Sequence, residues 1–169
     1  MAMTKSVQES LRRANVPYSV FQQPVAYTAQ EEAAVTHVPG RDWAKTVVCI
    51  ADGEPILAVL PADRIVNLED LAALTGTHRL RLAREDELDW LFPDRERGGM
   101  PPFDPFSEQR VFADRSLAAE MHMVFNAGTH TDAGSGVPRH RGASRRGAFD
   151  GRFGVAHLVV GAEAVVRHR

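Results

Sequence analysis

Two apolar runs, Ala44 to Ile50 and Ile56 to Leu60, flank an Asp52-Gly53 pair. Asp-Gly is a favoured two-residue turn because both positions tolerate positive φ, so the runs predict adjacent strands joined as a hairpin. Helix and strand signals alternate on either side of it. Ser6-Val7-Gln8-Glu9 has the form of a capping box and predicts a short amphipathic helix over Ser6 to Ala14. Tyr18 to Phe21 reads as a strand ending near Pro24. Thr28-Ala29-Gln30-Glu31 is a second capping box, opening a helix that must finish before Pro39-Gly40. Asn67 caps a helix carrying Leu68, Leu71 and Leu74, with Gly76 where a left-handed C-cap falls. Arg79 to Ala83 alternates as a half-buried strand does, and Leu88, Leu91 and Phe92 form the apolar face of a helix stopped by Pro93. Gly98 to Pro105 cannot be helix and is a poor central strand. Strand-like segments return at Arg110 to Ala113 and Met121 to Asn126. This alternation predicts an α/β (α+β) domain, a mixed sheet with helices packed around it. Gly134 to Gly151, rich in Gly, Arg and Ser, reads as loop or disorder, and Val155 to Val166 as one or two returning strands.

Composition narrows the function classes. The 169 residues fit one domain, with 44% hydrophobic and 25% charged residues as in ordinary globular chains. No apolar run approaches the roughly 20 residues of a spanning helix, and the N-terminus lacks a signal core, so the expected location is cytoplasmic. The lone Cys49 fits a reducing compartment. A net charge of −2 excludes a polycation built to coat nucleic acid. Phosphate-loop, nucleophile-elbow and Cys-pair zinc patterns are all missing, so no cofactor or metal is expected.

Three features carry chemistry. Lys45 lies in an otherwise apolar strand, where its ammonium either faces solvent or serves as a point charge for a phosphate or oxyanion. In Gly98-Gly99-Met100-Pro101-Pro102, glycines permit close backbone approach to a ligand while prolines stiffen the segment. Asn126-Ala127-Gly128-Thr129-His130-Thr131-Asp132 is a polar cluster directly after a strand. An ordinary surface turn accounts for either loop as well.

The ordered set is more specific than its parts. Tyr27-Thr28-Ala29-Gln30-Glu31-Glu32, then Ala44-Lys45-Thr46-Val47-Val48, then Ala58-Val59-Leu60-Pro61-Ala62-Asp63, resembles the YbaK-like family of stand-alone aminoacyl-tRNA deacylases. Gly98 and Pro102 match the ends of its glycine-x-x-x-proline loop, and Phe125 to His130 resembles its late strand and turn. That family is kin to the editing domain inserted in bacterial prolyl-tRNA synthetases. The resemblance implies a mixed, partly barrel-like sheet and hydrolysis of the ester joining a mischarged amino acid to tRNA. It implies Lys45, Gly98 and Gly99 as catalytic groups, with Tyr27, Thr28, Met100, Pro101, Pro102, Gly128, Thr129 and His130 lining the substrate site. The implied partners are the acceptor end of mischarged tRNA and an aminoacyl-tRNA synthetase, with no DNA or membrane. Two departures stand out: Asp104-Pro105-Phe106 follows the loop, and the family pattern stops after Asp132. The expected organisation is therefore a deacylase domain over 1–133 and an atypical tail over 134–169. Two rivals remain: a non-catalytic tRNA- or synthetase-binding module on the same scaffold, and another small-molecule hydrolase, metal-assisted through His122 and His130.

Overall fold

The computed structural model describes residues 18–93, 95–96, 98–101, 110–114, 116–119 and 123–136, helical positions at 5, 8, 9 and 12, and three short strand pieces near the C-terminus. The Ser6 cap lies outside the described residues, as does Pro102 onward to 109.

The hairpin organises everything else. Strand β1 is Tyr18–Gln22, β2 is Trp43–Ala51 and β3 is Glu54–Pro61. Strands β2 and β3 pair antiparallel from Ala44↔Pro61 to Ala51↔Glu54. Asp52 and Gly53 have φ of 50° and 93°, the two positive values that a tight hairpin turn compatible with strand twist requires. The Asp52 carboxylate accepts the His78 and Arg79 amides, and these contacts hold its pKa below the usual carboxylate range. The turn thus fixes the start of β5 (Leu80–Leu82) as well as its own hairpin.

The remaining strands are β4 (Arg64–Val66), β6 (Arg110–Ala113), β7 (Met123–Asn126), β8 (Asp132–Gly136), β9 (Ala148–Phe149), β10 (Leu158–Val159) and β11 (Val166–His168). Among the described residues nine strands form one mixed sheet, ordered β1-β8-β7-β2-β3-β6-β10-β9, with β5 also on β2; β4 and β11 form a separate pair. Pairing is parallel for β2 with β7 and β3 with β6, and antiparallel for the hairpin. This is the mixed sheet the sequence predicts.

Helix α1 (Ala29–Thr36) begins with the expected capping box of Thr28 and Glu31. Helix α2 (Leu68–Thr75) starts at Asn67 and ends at Gly76 with φ 69°. Helix α3 (Glu85–Leu91) and a short α4 (Ser116–Ala119) follow. Because strand side chains alternate, β2 and β3 feed two apolar layers. Ala44, Val48, Leu57 and Val59 pack with Phe92, Leu88 and Met100 on one face. Cys49, Ala51, Ile56, Ala58 and Leu60 pack with Leu71 of α2 on the other, and Trp43 extends that face toward α1 through Ala33. Coverage on both faces explains why β2 and β3 are apolar over most of their length.

One expectation is corrected. Of the stretch expected as loop or disorder from Gly134 to Gly151, Gly134, Ser135 and Gly136 are strand, paired with β1 on one side and β7 on the other, and Ala148 and Phe149 are strand as well. Main-chain hydrogen bonds on both edges hold a segment whose small side chains give little strand signal. Truncating the fully buried Leu57 to Ala is expected to cost about 2–5 kcal/mol in denaturant unfolding. Trp90→Ala, at a side chain 81% exposed, should change stability by less than about 0.5 kcal/mol.

Candidate active site

The site grows out of a division in one edge of β2. Along that edge β7 pairs only at Trp43 and Ala44, and β5 only from Cys49 to Ala51. The Ala83 N–H still reaches the Val48 carbonyl at 2.9 Å. Between the two ladders, the registers leave the Thr46 N–H and C=O and the Val48 N–H without strand partners among the described residues. An apolar cavity of about 250 Å³ opens against this gap, lined by Thr46, Val48, Leu88, Phe92 and Met100, with Arg95 and Glu96 at its polar side.

The Gly98–Pro101 segment closes over the gap. The Thr46 hydroxyl donates to the Pro101 carbonyl at 2.8 Å, and Met100 packs on the core face. Gly98 has φ +81°, and a Cβ there would lie 2.5 Å from the Tyr27 carbonyl and 3.6 Å from His130 Cε1. Only glycine fits so tight an approach. Gly99 is packed less tightly, a Cβ there lying 3.1 Å from the Asn126 side chain and the Gly128 backbone, and its N–H donates to the Glu96 carbonyl at 2.9 Å.

Tyr27 and His130 flank this turn with ring centroids 4.8 Å apart. The Tyr27 N–H is tied to the Glu31 carboxylate at 3.0 Å, yet the residue is 66% exposed. His130 Nδ1 lies 3.1 Å from the Ala26 carbonyl. A carbonyl can only accept, so Nδ1 carries the proton and the Nε2 of a neutral ring keeps its lone pair. The His130 N–H donates to Glu96 at 2.6 Å, joining the 96–101 and 128–131 loops.

Beneath the loops is a buried polar cluster. Glu32, 1% exposed on α1, accepts from Asn126 Nδ2 at 2.6 Å and from Gln23 Nε2 at 3.2 Å, both on Oε1. Its Oε2 has no partner among the described residues. Burial pushes this carboxyl up to about 7, against the opposing effect of Asn126, Gln23 and the Trp43 indole N–H, which is close but outside hydrogen-bond geometry.

The structure brings together Tyr27, Gly98, Gly99, Gly128 and His130, with Met100 and Pro101 continuing the same loop. Pro102 lies outside the described residues. Thr28 spends its hydroxyl on the Glu31 amide as helix cap, and Thr129 spends its own on Asp132 within the turn. Lys45 sits on the opposite face of β2 from its neighbour Thr46, and its ammonium donates to the Ala62 and Arg64 carbonyls beyond β3. Of the pair named for the metal-assisted rival, His122 lies outside the described residues. Thr46, Glu96 and Glu32 escape sequence inspection as site residues; the only signal for Glu32 is a second acid in a first turn whose cap needs only one.

Comparisons with known proteins place this arrangement. The profile of a family described as an aminoacyl-tRNA editing domain matches residues 23–140. The chain is 32% identical over 104 residues to the proline–tRNA ligase of Nitratidesulfovibrio vulgaris, covering 62% of this chain and 18% of that one. It is 31% identical over 111 residues to the proline–tRNA ligase of Staphylococcus saprophyticus, covering 66% and 19%. It therefore spans about a fifth of the length of these ligases. A solved structure proposed to be a trans-editing enzyme for prolyl-tRNA synthetase superposes with a TM-score of 0.72 at 21% identity, covering 95% of this chain and all of the other.

The raised pKa of Glu32 has a signed consequence for stability. The native state holds a proton that the unfolded chain releases above the ordinary value of 4.5, so stability falls as pH rises from there through about 7. Glu32→Gln, permanently neutral, should therefore gain stability relative to wild type between about pH 5 and pH 8, by an amount on the order of a few kcal/mol at most. A difference independent of pH in thermal melts would contradict this.

Proposed function

Because the chain belongs to the aminoacyl-tRNA editing domain family, we propose that it hydrolyses the ester bond of mischarged aminoacyl-tRNA in trans, releasing free amino acid and tRNA. The observation that carries this is Gly98, a left-handed glycine held against the Tyr27 carbonyl and the His130 ring beside an apolar cavity. Such a turn offers a main-chain donor where a carbonyl can enter, next to space for an amino-acid side chain. The substrate is the acceptor end of tRNA, the synthetase that mischarges it is the second expected partner, and the place of action is the cytoplasm.

An aminoacyl ester is already activated, so the protein need not supply a strong nucleophile. Placing a water and stabilising the tetrahedral oxyanion suffice. The Gly99 N–H is committed to Glu96, which leaves the Gly98 N–H as the donor for the oxyanion. His130 Nε2 orients the water, and the adjacent ribose hydroxyl of the substrate assists it. Met100 and the neighbouring apolar side chains hold the amino-acid side chain. Lys45, on the face of β2 away from the cavity, supplies positive charge for the terminal phosphate or sugar at a distance from the reacting ester.

The rival binding module draws support from Lys45, whose ammonium already rests on two main-chain carbonyls. A deacylation screen against a panel of mischarged tRNAs separates the two. Wild type should clear at least one species, insensitively to chelators, while Gly98→Ala and Lys45→Ala, confirmed folded, should each lose about 10²-fold or more. No turnover of any species by folded wild type would leave the binding module standing, and loss of activity with chelators would point to the metal-assisted hydrolase.

A further inference from the structure

Resting on the editing activity above, we propose that Glu32 is a positioning residue for that reaction, acting through Asn126 to set the Gly98–Gly99 turn. The Asn126 side chain is buried at the meeting point of three segments. Its Nδ2 donates to Glu32 Oε1 at 2.6 Å, while its Oδ1 accepts the Gly128 N–H at 2.8 Å. That same Oδ1 stands 3.1 Å from where a Gly99 Cβ would be, so the catalytic turn rests directly on the amide. Gly128 in turn accepts the Glu96 N–H at 3.3 Å, and Glu96 accepts Gly99. An amide has one donor end and one acceptor end. Glu32 Oε1, which accepts from Asn126, therefore dictates which end of the amide faces the turn, most firmly when the carboxyl is ionised and only accepts. Reversing the amide would set an NH₂ against the Gly128 N–H and a carbonyl against the carboxylate.

The helix that carries Glu32 meets the same turn at a second point. The cap of α1, Thr28, follows the Tyr27 carbonyl against which Gly98 is pressed, and Glu31 holds the Tyr27 N–H. Both contacts of the turn thus refer back to α1, and Glu32 makes the one through Asn126. Charge on that side chain matters because a carboxylate is a stronger acceptor than a carboxylic acid, and holds Asn126 more firmly. The groups facing Glu32 are few. Gln23 after β1, Trp43 from β2 and Asn126 from β7 are neutral, and among the described residues Glu31 on α1 is the charge acting on it. The expected outcome is turnover that rises as Glu32 ionises, while stability falls over the same interval. Glu32 is retained for the turn it positions and not for the stability it confers.

The test follows kcat against pH for the full chain acting on a mischarged tRNA that wild type clears, with uncatalysed hydrolysis subtracted. Trp43 beside the carboxyl gives an independent signal, read in a Trp90→Phe background where it is the sole tryptophan. Wild type should show a kcat inflection that coincides with the Trp43 fluorescence titration. Glu32→Gln keeps an acceptor for Asn126 and should match wild type on the acid side, yet lose both transitions. Glu32→Ala, confirmed folded, should lower kcat roughly tenfold or more with KM little changed, as displacement of a catalytic turn does. A Glu32→Gln enzyme that keeps the wild-type inflection, or a folded Glu32→Ala enzyme with unchanged kcat, would overturn the role of Glu32 alone. No turnover by folded wild type at any pH would overturn the editing activity and this role with it.

Discussion

Strand β2 has two edges, and only one of them is fully paired. Its ladder to β3 runs unbroken from Ala44 to Ala51, whereas the opposite edge is shared between β7 at one end and β5 at the other. Unpaired main-chain groups inside a sheet are costly unless something meets them. The Gly98–Pro101 segment crosses this interval, bound to β2 through the Thr46 hydroxyl, and the cavity lies against the same stretch. The location of the site follows from strand register before any catalytic side chain is considered. The Asp52 carboxylate, by tying β5 to the hairpin turn, fixes where the interval ends.

The second constraint is polar. Glu32 and Asn126 occupy space beneath the loops that apolar residues could fill at lower cost in desolvation. They instead hold two glycine turns in register through directional hydrogen bonds. Apolar contact could pack those turns but could not select one orientation of the Asn126 amide. A fold of this size retains such a cluster where precise backbone placement matters more than stability.

Much of the scaffold was legible in the sequence because its signals are local. The Thr28 and Asn67 caps, the left-handed Gly76 and the Asp52-Gly53 turn each act within a few residues, and each stands where its chemistry predicts. Strand β8 was not legible, since Asp-Ala-Gly-Ser-Gly carries no side-chain preference for strand and is held by partners far away in sequence. Within the site, glycines that must approach another backbone were visible as Gly98 and Gly99. Their partners were not, because the Tyr27 carbonyl and the Asn126 amide arrive from distant segments. Lys45 shows the limit from the other side. Its residue type was conspicuous, but whether it faced the loop depended on a parity along β2 that Thr46, its neighbour, takes instead.

The central claim is that the aminoacyl end of tRNA enters at the Gly98 turn. Titrating ¹⁵N-labelled protein with a non-hydrolysable, amide-linked aminoacyl-adenosine tests it most directly. The Gly98 amide should show the largest shift, with Met100 and His130 following and the Gly99 amide, held by the Glu96 carbonyl, moving less. Saturable shifts confined to Lys45 and the β3–β4 turn, with Gly98 unmoved, would contradict it.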